Sequence, residues 1–197
     1  MKGNIKKLAV LVIIVAIAMV TAVAMAWDDE HNWNKGIQGK YAFIGSGACL
    51  MAAGGFTDDT HFTPQDPTHS SIGPNTWEGV YTFHSDGTGS MDAINRYMDT
   101  TISAGSGHIY WEFTYTVQGG KITFTYKPGT YVATYLYGPQ AGFTLSNVSI
   151  TESWGGRISP DGESLFVSFG VPMKIIPPFP GLEIVCNGVH QGFRVFE

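Results

Sequence analysis

Tyr110-Trp111-Glu112-Phe113-Thr114-Tyr115-Thr116-Val117-Gln118-Gly119-Gly120-Lys121-Ile122-Thr123-Phe124-Thr125-Tyr126 is the stretch that decides the fold class. Trp111, Phe113, Tyr115 and Val117 fall on one face, and Ile122, Phe124 and Tyr126 match them beyond the Gln-Gly-Gly turn. Strict alternation of aromatic and β-branched residues is the pattern of a ribbon with one face in a core. The segment therefore reads as a β-hairpin.

The same grammar extends in both directions. Val80–His84 runs into Ser85-Asp86-Gly87-Thr88-Gly89 and returns as Ser90–Met98, with Asp-Gly supplying the positive φ of a tight turn. Thr130–Tyr137 is a further strand, Phe143–Trp154 reads as one long strand, and Ser159-Pro160-Asp161-Gly162 turns into Ser164–Gly170. Prolines 172, 177, 178 and 180 predict no regular pairing over 171–182. Glu183–Cys186 and Val189–Phe196 end the chain, and Lys40–Gly45 opens the domain. No stretch after Ala26 sustains a 3.6-residue apolar period. The expected class is all-β: an antiparallel meander of about eight to ten strands closed into a small soluble barrel. One domain covers 40–197, interrupted by a long strandless loop at 54–77 of the kind that serves as a lid.

Ahead of this domain, Lys2, Lys6 and Lys7 precede an apolar run, Leu8–Val23, broken only by Thr21, and Ala24-Met25-Ala26 offers small residues for cleavage. Residues 1–26 read as an export signal and 27–39 as an N-terminal arm, which predicts a periplasmic or extracellular protein. Leu8–Ala26 is also just long enough to act as a retained anchor. Cleavage removes three of the eleven Lys and Arg residues and none of the sixteen Asp and Glu, taking the net charge from −5 to −8. An acidic chain with scattered charges has no basic footprint for nucleic acid or anionic lipid. Neither partner is expected, and the mature protein is expected to be a monomer free of the membrane.

Two cysteines, Cys49 and Cys186, lie near the two ends of the domain. Behind an export signal such a pair predicts a disulfide, compatible with closure where the first and last strands meet. Closing so long a loop removes about 4–5 kcal/mol of unfolded-chain entropy in the loop-closure model.

Gly39-Lys40-Tyr41 at the opening strand and Arg194 near the last strand's end make the chain resemble the lipocalin-like (calycin) barrels. Those proteins carry Gly-x-Trp at the first position and often set an arginine against its ring. Tyr41 stands in place of the tryptophan, and the mid-chain Thr-Asp-Tyr motif has no counterpart here. The resemblance implies a secreted barrel. Allene-oxide-cyclase-like barrels share that outline. An outer-membrane barrel is a third architecture, but runs such as Lys121–Tyr126 fall short of the roughly 9–11 residues that span a bilayer.

Candidate ligand contacts follow from the strand faces. Trp111, Phe113, Tyr115, Phe124 and Tyr126 either line a pocket or fill the core. Glu152 alternates with Val148, Ile150 and Trp154, so it is either an inward carboxylate suited to proton transfer or a solvent-facing residue on a twisted strand. Arg96 and Arg194 are candidates to grip an anionic ligand head. Asp58, Asp59, His61, Asp66 and His69 have ligand-like side chains, but their spacing matches no metal motif, and no metal or cofactor is expected. There is no Gly-x-Ser-x-Gly elbow. The expected function is binding of a small, largely apolar molecule. The alternatives are an enzyme of the cyclase or isomerase type on the same scaffold, with Glu152 or a Tyr–Arg pair for acid–base work, and a structural or outer-membrane envelope barrel.

Overall fold

The computed structural model describes residues 36–58, 60–99, 103–150, 154–168 and 172–196. The signal segment, most of the arm and Glu152 lie outside them. The strands are β1 (Gly39–Ala53), β2 (Ser70–Phe83), β3 (Thr88–Asp99), β4 (Ser103–Gln118), β5 (Lys121–Tyr126) and β6 (Val132–Tyr137). They continue with β7 (Thr144–Ser146), β8 (Ser149–Ile150), β9 (Trp154–Ile158), β10 (Ser164–Ser168), β11 (Met173–Ile176) and β12 (Leu182–Val195).

Eight strands close a ring in the order β1-β2-β3-β4-β5-β9-β10-β12, with β12 paired back to β1. Each pairing is antiparallel. The all-β antiparallel barrel expected from the alternation is therefore the fold. Its seam is the β1–β12 pairing, which runs from Lys40 opposite Val195 to Ala53 opposite Leu182. Cys49 faces Cys186 in that register and the two form a disulfide.

Two long strands each serve two neighbours on one edge. The C-terminal half of β4 pairs with β5, and its N-terminal half pairs with β6. Likewise β12 pairs with β10 through residues 189–193 and with β11 through residues 184–186. On that side the wall therefore divides. β5, β9 and β10 close one end of the barrel, while β6 with β7 and β8 with β11 build the other. No pairing joins β7 to β8 among the described residues. The second end is consequently wider.

The narrow end is packed solid. Tyr41, Tyr81, Phe83, Phe113, Phe124 and Leu165 are buried there. Phe113 meets Phe124 edge to face at 5.1 Å, and Phe83 meets Tyr115 at 5.1 Å. Rings in edge-on or offset contact fill a barrel interior while matching their quadrupoles. Ile37, just ahead of β1, is fully buried and belongs to this core.

Four expectations need correction. The loop expected at 54–77 ends at residue 69, because β2 begins at Ser70. Its first half alternates with the opposite chemistry to a normal strand: Ser71, Gly73 and Asn75 point inward while Ile72 is exposed. Pro74 is tolerated because β3 pairs with β2 only from Asn75 onward, leaving the proline nitrogen on an edge. The long strand expected over Phe143–Trp154 is interrupted at Asn147, which takes a left-handed φ of 59° between β7 and β8. The proline-rich 171–182 segment contains β11, whose four residues lie between Pro172 and Pro177 and pair with β12 and β8. Finally, Glu183–Cys186 and Val189–Phe196 are parts of one continuous strand, β12.

Candidate functional site

The wide end of the barrel holds a cavity of about 170 Å³. Its floor is Trp77, whose ring lies over the glycine-bearing seam: a Cβ on Gly188 would stand 3.2 Å from Trp77 Cζ3. Beneath Trp77 sits the imidazole of His190, 5.3 Å from it and stacked on Phe43 at 4.8 Å. His190 Nδ1 shares a hydrogen bond with Tyr81 Oη at 2.7 Å. Burial pushes the His190 pKa down to about 4 and the Tyr81 hydroxyl well up. At neutral pH the imidazole is uncharged, so a neutral pair closes the floor.

The walls come from both parts of the divided sheet. β1 and β12 contribute Cys49, Met51, Ile184 and Cys186, so the disulfide itself borders the cavity. From β4 come Ile109 and Trp111; from β6 and the residue before it come Tyr131, Ala133 and Tyr135; from β11 come Met173 and Ile175. Trp111 stacks on Tyr131 with 13° between planes and 5.7 Å between centroids. Burial raises the Tyr131 and Tyr135 hydroxyls. Polar groups enter from three amides: Asn75, Asn95 and Gln140. Asn95 Nδ2 donates to Asn75 Oδ1 at 3.2 Å, and Asn75 Nδ2 donates to the Gly73 carbonyl at 3.1 Å.

A loop does cross this end, but it is residues 138–143 between β6 and β7. Tyr97 Oη donates to Gln140 Oε1 at 3.0 Å, tying the loop to β3. Phe143 meets Phe179, from the loop between β11 and β12, at 6.0 Å. The segment expected as the lid lies elsewhere. Phe56 clusters with Ala52 and Val185 beside the β1–β12 seam, and its backbone NH donates to Glu183 Oε2 at 3.1 Å. Lys174 pairs with the same carboxylate at 3.2 Å. Asp58 and Asp66 cap turns within the loop: Asp58 Oδ1 accepts from Thr60 N, and Asp66 Oδ1 accepts from Thr68 N. No cluster of three potential metal ligands forms among the described residues.

The expected ligand contacts separate along the barrel axis. Trp111 borders the cavity. Phe113, Tyr115 and Phe124 belong to the packed narrow end, where Tyr115 Oη donates to the His84 carbonyl at 2.6 Å. Tyr126 is a structural bracket: its hydroxyl donates to the Val148 carbonyl at 3.2 Å and accepts from Tyr131 N at 3.1 Å. Arg96 lies on the exterior, paired with Glu78 at 2.6 Å. Arg194 stands at the narrow end with its guanidinium over the Tyr41 ring, 5.4 Å from the centroid. It donates to Tyr41 Oη at 2.9 Å and to the carbonyls of Gly162 and Gly36. That is the arginine-on-aromatic contact implied by the Gly39-Lys40-Tyr41 resemblance. It places Arg194 far from any ligand head in the cavity. Glu112 is on the outside, bridged to Lys127 at 2.6 Å.

Asn75, Asn95, Tyr131, Tyr135 and Gln140 were not singled out from the sequence. The signal available was Asn95, an amide at an inward position of a strand whose preceding inward residues, Met91 and Ala93, are apolar. No protein-family model matches the chain, and a search of curated proteins found no match.

Proposed function

We propose that the chain is an exported barrel protein that binds a small, largely apolar molecule at its wide end. The observation that carries this reading is the cavity itself: about 170 Å³, walled by aromatic and aliphatic side chains with a few amides. Such a composition is that of a ligand site, in which apolar surface supplies affinity and a few polar groups fix orientation. An interior meant only for stability would be filled, as the narrow end is. The disulfide fits an oxidising compartment and agrees with the export signal read at the N-terminus.

The catalytic alternative finds less support. No Asp, Glu, His, Lys or Arg borders the cavity among the described residues, and Glu152 lies outside them; the described groups there that can move a proton are tyrosine hydroxyls whose pKa values are raised by burial. An outer-membrane barrel would carry its apolar band outside and polar groups inside. Here Phe113, Phe124 and Leu165 point inward while Glu78, Arg96 and Lys121 point outward. Native mass spectrometry of protein purified from its export compartment tests the proposal. A co-purifying small molecule, or a thermal shift on screening a lipophilic library, is expected. Protein that carries nothing and shifts with no compound would overturn it.

A further inference from the structure

The polar atoms of the cavity define the ligand more narrowly. Asn95 spends Nδ2 on Asn75 Oδ1 and on the Thr76 carbonyl, and no described residue donates to its Oδ1. Gln140 accepts from Tyr97 through Oε1, and no described residue accepts from its Nε2. Trp111 Nε1 is buried without an acceptor. An acceptor and two donors, all on uncharged side chains, are therefore uncommitted in the residues that border one cavity. The indole NH of Trp111, buried and unpaired, carries a free-energy cost that a ligand acceptor relieves, and the two amide groups are open to a ligand's own donor and acceptor.

Charge and shape narrow the class further. An ionised ligand entering this end would shed its hydration with no opposite charge among the described lining residues to replace it. Five flat side chains, Trp77, Tyr97, Trp111, Tyr131 and Tyr135, border the space, with isoleucine and methionine side chains between them. Its volume of about 170 Å³ is close to that of an engineered apolar cavity of about 150 Å³ that accepts benzene, which suits one ring or a fused pair.

We infer that the ligand is a neutral, planar ring compound of one or two fused rings carrying a hydrogen-bonding substituent, of the phenol, lactone or cyclic-amide type. This inference rests on the binding reading proposed above. Stacking against the tryptophan and tyrosine rings supplies affinity, and the Asn95 and Gln140 amides select the substituent.

Four probes, compared by isothermal titration calorimetry on the full mature protein, separate the possibilities: 2-naphthol (neutral ring), 2-naphthoate (charged ring), 1-decanol (neutral chain) and decanoate (charged chain). 2-Naphthol is expected to bind at least tenfold more tightly than each of the others. Asn95→Leu, and Gln140→Leu on the loop outside the barrel wall, are each expected to weaken 2-naphthol about tenfold. Tighter binding of the chains, equal binding of naphthoate and naphthol, or unchanged affinity in both variants would overturn the ring inference while leaving a small-ligand site intact. Failure of all four probes, with no shift in a broader lipophilic screen, would overturn the binding reading itself.

Discussion

Burial of His190 makes one imidazole a determinant of how stability depends on pH. With its pKa held at about 4, the folded protein takes up a proton less readily than the unfolded chain, where imidazole titrates near about 6.5. Stability is thus unaffected above that upper value, falls as pH drops from about 6.5 to 4, and loses nothing more from this group below. The expected loss between pH 7 and pH 5 is about 2 kcal/mol. Urea melts at the two pH values check it, and His190→Gln should lose most of that slope. Arg194 is the opposite case, a charge with structural partners at the narrow end. Arg194→Leu leaves the Tyr41 hydroxyl and the Gly162 carbonyl with lost partners and should destabilise by about 2–3 kcal/mol. Chemical denaturation measures that loss. Ligand affinity in the folded fraction should not change, because the cavity lies at the other end.

The β1–β12 seam is held by an extensive ladder and by one covalent link. Removing that link in Cys49→Ser/Cys186→Ser should lower stability by about 2–5 kcal/mol, read from thermal and urea melts with and without reductant. What the sequence reveals about the elements depends on where each turn gets its geometry. The hairpins at Asp86-Gly87 and Gly119-Gly120 are legible because those glycines supply the positive φ the turns require. The start of β2 is not legible, since its inward positions are Ser71, Gly73 and Asn75, small or polar residues, of which Gly73 and Asn75 border a cavity instead of a core. The break between β7 and β8 had a signal in Asn147, a residue type that tolerates left-handed backbone, but it lay inside an alternating run. β11 was hidden because its flanking prolines read as an irregular segment, although the four residues between them are free to pair.

At the scale of the whole molecule, alternation predicts which side chains point inward but not whether the space between them is filled. Trp111 and Phe113 occupy equivalent faces of one strand, yet one borders the cavity and the other is packed among rings. The difference arises from β4 and β12 each pairing with two partners, a non-local property that no local pattern encodes. The same division has a dynamic consequence. β7 and β8 are three and two residues long and among the described residues each pairs with a single strand, while β1 to β4 are paired on both sides over most of their length. Hydrogen exchange should show amides of β7 and β8 opening at least about tenfold faster than those of β1 and β2, and a bound ligand should narrow that gap.

The outer face of the barrel sets the competing possibility for where a small apolar molecule goes. Ile44, Phe166 and Phe193 are exposed there on neighbouring strands, and such a patch also attracts ring compounds. Chemical-shift mapping by NMR during titration with 2-naphthol distinguishes the two directly. Saturable shifts are expected at the Trp77 and Trp111 indole NH groups and at the Asn95 and Gln140 side-chain amides, with Ile44, Phe166 and Phe193 unmoved. Shifts confined to that outer patch, or no saturable shift at the cavity residues, would contradict binding in the cavity.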